Sequence, residues 1–258
     1  MNKEPRVKNM RIKKGIYLLP NLLTTASLFA GFYSIIASVQ GKYYIAAIAI
    51  LVSLVFDGLD GRIARMTNTT SKFGAEYDSL SDLIAFGVAP SLLVYIWAMS
   101  SDEKLGLFAG FLFVACGALR LARYNIQIGI IDSKVFNGLP IPAAASVIAT
   151  AVIFFHFVGI EGKYYQSYII YSVILLSLLM VSNIKYYSFK GMNFHTRMPF
   201  KIFLIVVGIL LLICYLLFIS TISLSLWPFV IFMGYAISGP VWWVIKLGQK
   251  ITSRAKEK

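Results

Sequence analysis

LVFDGLDGRIAR, residues 54–65, closes an apolar run that opens near Tyr44. Two aspartates and two arginines stand in it, where a membrane-spanning segment is still apolar or only just ending. The run is one of eight, near 17–39, 44–61, 76–99, 105–126, 139–159, 165–183, 199–220 and 224–246. Each approaches the roughly 20 residues a helix needs to cross the hydrocarbon core of a bilayer. The chain has 258 residues, 59% hydrophobic and 14% charged, with a mean hydropathy of +0.77. A soluble domain carries about 25% charged residues, so that class is excluded. The expected fold is all-α: a polytopic membrane bundle of about eight transmembrane helices. The first run is too long for a cleaved signal peptide, lacks a small-residue cleavage site and is followed by seven more. Cys116 and Cys214 both fall inside apolar runs and read as packing residues, not as a disulfide or metal site.

The formal net charge of +13 does not point to nucleic acid, because its distribution follows the membrane. With the N-terminus inside, the outer loops hold only Lys42, Lys104 and Lys163 of the 24 Lys and Arg residues. This is the positive-inside asymmetry, and it predicts that both termini are cytoplasmic. The expected plan is a basic cytoplasmic tail (1–16), a membrane domain (17–200), two added helices (201–246) and a basic cytoplasmic tail (247–258).

Of the 11 acidic residues, Asp57, Asp60, Glu76, Asp78 and Asp82 all flank the connection between the second and third runs. Asp57 and Asp60 are spaced i,i+3, and Asp78 and Asp82 i,i+4, so each pair shares one helix face. With the second helix running inward and the third starting near Lys72, the pairs face each other near the inner surface. Carboxylates at that depth are costly and mark function. Oxygen-only ligation suits Mg²⁺, Mn²⁺ or Ca²⁺, and no His or Cys nearby suggests zinc. The structural alternative pairs the aspartates with Arg62 and Arg65, but two cations cannot neutralise five acids. Gly58, Gly61 and Gly74 lack a Cβ and let backbone approach a bulky ligand. Arg65 has the fork geometry for a phosphate, and TNTTS (Thr67–Ser71) supplies short polar groups between the helices. Together these point to a diphosphate with a lipid tail.

Asp57, Asp60, Gly61, Ala64 and Arg65, then Gly74, Asp78 and Asp82, occupy every fixed position of D-x-x-D-G-x-x-A-R-x8-G-x3-D-x3-D. This resembles the signature of the CDP-alcohol phosphotransferase family. PNLLTTASLFAGF (Pro20–Phe32), EYDSLSDLIAFGVAP (Glu76–Pro90), LRLARYN (Leu119–Asn125), FNGLPIPAAA (Phe136–Ala145) and YYSFKG (Tyr186–Gly191) are similar to its integral-membrane, serine-using branch, the phosphatidylserine synthases. The resemblance implies transfer of a phosphatidyl group from CDP-diacylglycerol to L-serine, with release of CMP. It also implies a homodimer and two divalent metal ions on the diphosphate. By position, Asp57, Asp60 and Asp78 bind metal, and Asp82 shares the second metal and acts as base on the serine hydroxyl. Gly61, Ala64, Arg65 and Gly74 line the CDP site. The implied location is a prokaryotic inner membrane, with the site on the cytoplasmic side.

Serine also brings a carboxylate, which calls for a cation. Arg120 and Arg123, i,i+3 at the inner end of the fourth run, stand level with the motif. Asn125 and Asn137 lie close in sequence, and Lys190 is a weaker candidate; the alternative is lipid phosphate or plain orientation charge. His195 and Glu76 receive no role. Rival readings are a family member using another alcohol, an isoprenoid ether lipid in place of diacylglycerol, and a cation transporter. Against transport, the acids sit at one face instead of the midplane, and Arg65 opposes cations.

Overall fold

The computed structural model describes residues 7–67, 69, 71–127, 135–187 and 223–256. The helices are α1 (Val7–Val39), α2 (Tyr43–Met66), α3 (Lys72–Met99), α4 (Glu103–Gln127), α5 (Ile141–Val158), α6 (Gln166–Val181) and α7 (Ser223–Lys256). Among the described residues seven helical segments are long and apolar enough to cross a membrane. The chain is thus an integral membrane protein built as an all-α polytopic bundle. The expected run at 199–220 lies outside the described residues, as do Lys190, His195 and Cys214. In hydrocarbon every backbone polar group needs an internal partner, which is why these apolar runs are helical.

One small departure from an all-α chain occurs. Val135–Asn137 (β1) and Lys185–Tyr187 (β2) pair antiparallel, with Asn137 opposite Lys185. The ribbon is led into α5 by Gly138, at φ +82°, where an added Cβ would overlap the Met180 carbonyl. Gly138 N–H donates to Ile184 O at 2.8 Å and Leu139 N–H to Leu179 O at 3.0 Å. FNGLPIPAAA is therefore a clip that ties the start of α5 to the end of α6.

α1 and α2 form an antiparallel pair closed by Gly41, whose φ of +75° suits only glycine without strain. Deep in that pair the Ser27 and Ser53 hydroxyls meet at 2.7 Å, and each also reaches the other's carbonyl. Against α3, Gly31 leaves the room for close backbone contact: a Cβ there would stand 2.6 Å from Ala85 Cα. Small residues of this kind let membrane helices approach where no hydrophobic force drives them together. α2 packs on α5, α4 on α6, and α5 on α7. Phe86, Leu93, Met99, Phe113, Ile141, Val152 and Met180 fill the centre.

Two local features place the acidic residues. α2 continues to Met66, past the expected end of its apolar run at 61, so the whole DGLDGRIAR segment is helical. α3 starts at Lys72, as its sequence suggests, with Ser71 as cap: its Oγ accepts from Gly74 N–H at 3.0 Å. Directly after Asp82, α3 widens into a π-helical turn over Leu83–Val88. Pro90 follows; its ring crowds the carbonyl four residues back, and the wider turn relieves that clash.

Candidate active site

Asp57, Asp60 and Asp78 each place a carboxylate oxygen within 4.8 Å of the other two. Asp60 is buried and the others half-buried. Asp60 Oδ2 accepts a 2.6 Å hydrogen bond from Thr24 Oγ1 on α1. Thr24 Oγ1 also reaches its own helix at Pro20 O, 3.1 Å away. Ser81 Oγ donates to Thr24 O at 3.2 Å, and Tyr77 OH lies 2.9 Å from Thr25 Oγ1. α1 is thereby fixed against both acidic helices. Three carboxylates so close repel one another strongly, and the donor set is all oxygen. That set fits a hard divalent cation.

The cluster divides two cavities. One, of about 160 Å³, is lined by Pro20, Asn21, Thr24, Asp60, Gly61, Ala64, Thr69, Ser71, Gly74, Ala75 and Asp78. Nothing lies within 4 Å of a Cβ built on Gly61, whereas one on Gly74 would press Ser71 Oγ at 3.1 Å. Gly61, Ala64 and Gly74, expected around a nucleotide, thus share one wall system. Arg65 is not part of it. It lies exposed at the end of α2, its Nε donating to Gly61 O at 2.9 Å. Gly58 lines neither cavity. Of TNTTS, Thr69 is buried in the wall and meets Thr67 Oγ1 at 2.7 Å; Asn68 and Thr70 lie outside the described residues.

The second cavity, of about 360 Å³, is lined by Asp57, Ala75, Asp78, Ser79, Asp82, Arg120, Leu121, Tyr124, Asn125, Pro140 and Pro142. Asp78 borders both spaces. Asp82 and Arg120 are both buried, so a carboxylate and a guanidinium share this space in a low-dielectric setting. The Arg120 guanidinium stands 5.5 Å from the centre of the Tyr124 ring. Asn125 Nδ2 donates to Ser79 Oγ at 3.0 Å and reaches Glu76 Oε2 at 3.4 Å, which gives Glu76 a supporting place.

Arg123 is not brought into this space. It reaches Val181 O at 2.5 Å, Ser182 O at 3.4 Å and Asn183 Oδ1 at 3.2 Å. Those acceptors sit at the C-terminal end of α6, where backbone carbonyls lack helical partners. Asn137 is held in β1. Thr24, Asn21, Ser79 and Tyr124 had no role in the sequence reading. For Thr24 the signal was present: a polar pair, Thr24-Thr25, inside an otherwise apolar run.

A helical membrane bundle with a carboxylate cluster between two cavities suits transfer chemistry on a lipid, and the sequence places it. The chain belongs to the CDP-alcohol phosphatidyltransferase family, which it matches over residues 17–181. It is 40% identical over 247 residues to the CDP-diacylglycerol–serine O-phosphatidyltransferase of Helicobacter pylori, covering 93% of this chain and 97% of that protein. It is 39% identical over 180 residues to the archaetidylserine synthase of Methanothermobacter thermautotrophicus, covering 69% and 73%. The Saccharomyces cerevisiae CDP-diacylglycerol–serine O-phosphatidyltransferase is 36% identical over 144 residues, covering 50% and 51%.

Proposed function

We propose that this chain transfers the phosphatidyl group of CDP-diacylglycerol to the hydroxyl of L-serine, giving phosphatidylserine and CMP. The observation that carries the reading is the division of the site at Asp78. On one side stand the glycines and alanine of the nucleotide signature; on the other, Asp82 and Arg120 share a buried space. CDP occupies the first, with Arg65 at its rim toward phosphate. Serine occupies the second, its carboxylate on Arg120 and its amine or hydroxyl near Asn125. Arg123 is left to its structural place at α6.

Asp57, Asp60 and Asp78 would hold one divalent cation and, with Asp82, a second; Mg²⁺ or Mn²⁺ suits them, and Ca²⁺ shares the ligand preference. Such ions polarise the diphosphate and offset charge on the departing nucleotide. Asp82 accepts the serine hydroxyl proton as the serine oxygen bonds to the phosphatidyl phosphorus. The bond from that phosphorus to the CMP oxygen breaks, and CMP leaves with the electron pair.

The basic inner segments support cytoplasmic termini and eight spans, which put the motif at the cytoplasmic face of a prokaryotic inner membrane. There water admits serine and CMP while the lipid tails stay in the bilayer. The plan of a family domain over 17–200 with two added helices and basic tails is retained on the same sequence grounds. A homodimer is proposed on the family resemblance alone.

The test is incorporation of labelled L-serine into lipid by the purified chain with CDP-diacylglycerol and Mn²⁺ or Mg²⁺. Label should enter lipid with stoichiometric CMP, and EDTA should abolish it. Full activity in excess EDTA would contradict the metal assignment; no label in lipid would contradict the reaction. The archaetidylserine synthase similarity favours a second reading of the lipid alone, tested by offering the CDP-activated isoprenoid ether lipid in competition.

A further inference from the structure

Two residues in the wall of the second cavity meet a carboxylate that stands outside it. Ser79 of α3 and Asn125 of α4 line that space together with Asp82 and Arg120. Glu76, one turn before Ser79 on α3, is exposed and is not part of the lining. Asn125 Nδ2 lies 3.0 Å from Ser79 Oγ and 3.4 Å from Glu76 Oε2. Ser79 Oγ has two acceptors in reach, Ala75 O at 3.0 Å and Asn125 Oδ1 at 3.2 Å.

The protons in this network decide how the amide faces. A carboxylate only accepts, so the end of Asn125 turned to Glu76 is the nitrogen. Its two N–H groups are then directed to Glu76 and to Ser79 Oγ. Ser79 has one proton to give, whereas an amide oxygen has two lone pairs. Asn125 Oδ1 therefore keeps acceptor capacity whichever way the Ser79 hydroxyl turns. Ser79 alone does not set this polarity, because a hydroxyl accepts from the amide nitrogen as readily as it donates to the amide oxygen. The polarity matters chemically. An amide oxygen in the cavity wall accepts from an ammonium group. A flipped amide presents N–H groups, which repel ammonium and compete with Arg120 for a carboxylate.

We infer that Glu76 is a positioning residue for the amine of the acceptor: it turns the Asn125 amide so that Oδ1 accepts from the serine ammonium while Arg120 takes the carboxylate, and the site thereby selects an amino acid over a plain hydroxy acid. The inference rests on the proposed assignment of the second cavity to serine.

The experiment uses the full chain, reconstituted with CDP-diacylglycerol and Mn²⁺, and measures kcat and both KM values for Glu76→Ala, Glu76→Gln, Asn125→Ala and the double alanine variant. Glu76→Ala should raise the serine KM by about threefold to tenfold, the scale of one hydrogen-bond partner, with kcat and the CDP-diacylglycerol KM within about twofold. Glu76→Gln retains an oxygen that accepts from Asn125 Nδ2 and should rescue most of that loss. The double variant should be no worse than Asn125→Ala, because Glu76 acts only through that amide. Excess 3-hydroxypropionate, which is serine without its amine, should depress serine incorporation more in Glu76→Ala than in the unaltered chain. An unchanged serine KM in Glu76→Ala beside a raised one in Asn125→Ala would overturn the role of Glu76 and leave the serine assignment intact. So would full additivity in the double variant, equal losses on both substrates, or equal depression by 3-hydroxypropionate. An unaltered chain that incorporates no serine would remove the serine assignment itself, and the inference with it.

Discussion

Thr24 illustrates how one hydroxyl conditions a cluster of charges. Its 2.6 Å hydrogen bond fixes one oxygen of Asp60, and so orients a carboxylate of the cluster proposed to hold the cation. Groups that orient a ligating carboxylate commonly account for about 10- to 100-fold in metal affinity. Thr24→Val should therefore raise the Mn²⁺ or Mg²⁺ concentration for half-maximal activity by about tenfold, with activity recovered at high metal; a titration of activity against free metal checks this. Arg123 gives the opposite case. Its donors are spent on the end of α6, and a hydrogen bond from a charged group contributes about 1.5–3 kcal/mol. Arg123→Gln should lower thermal stability in detergent and leave the serine KM near normal. The sequence placed Arg120 and Arg123 on equal terms, because i,i+3 spacing puts both on one general face. Only the packing of α4 on α6 separates them: one side chain turns into the cavity, the other to the unpartnered carbonyls of the neighbouring helix.

At the scale of elements, the acidic motif was readable because its chemistry is local. Spacing of i,i+3 and i,i+4 on two successive helices is enough to bring aspartates to one level. The continuation of α2 through Arg65 was not readable from hydropathy, since Arg62 and Arg65 end the apolar run while the backbone keeps its helical bonds. The ribbon of β1 and β2 was also hidden. Its strands are three residues long and separated by 47 residues, with no alternating pattern to announce them. Gly138 is the point on which it turns. A non-glycine residue at φ +82° is strained, and its Cβ would meet the Met180 carbonyl. Gly138→Ala should destabilise the protein by more than about 1 kcal/mol, seen as a lower midpoint of thermal unfolding in detergent. Serine turnover should fall with it, because Pro140 and Pro142 line the second cavity.

For the whole molecule, hydropathy and charge announced a helical membrane bundle, and seven of the eight expected runs appear as helices among the described residues. How those helices meet was not legible, because in lipid the contacts depend on small residues such as Gly31 and on hydroxyl pairs such as Ser27–Ser53, which hydropathy does not distinguish from any other span. The proposed orientation has its own check: with Cys116 and Cys214 replaced, Lys42→Cys should react with a membrane-impermeant thiol reagent from the outer side and Lys72→Cys only from the inner. The central claim is the division of labour across Asp78, and the most direct measurement pairs turnover with metal-dependent binding of CDP-diacylglycerol for Asp82→Asn and Asp60→Asn. Asp82→Asn keeps a coordinating oxygen but cannot take the serine proton, so it should lose turnover by about 10²–10⁴-fold and still bind the lipid nucleotide. Asp60→Asn should lose much of that binding. Near-normal turnover in Asp82→Asn, or intact metal-dependent binding in Asp60→Asn, would contradict the account.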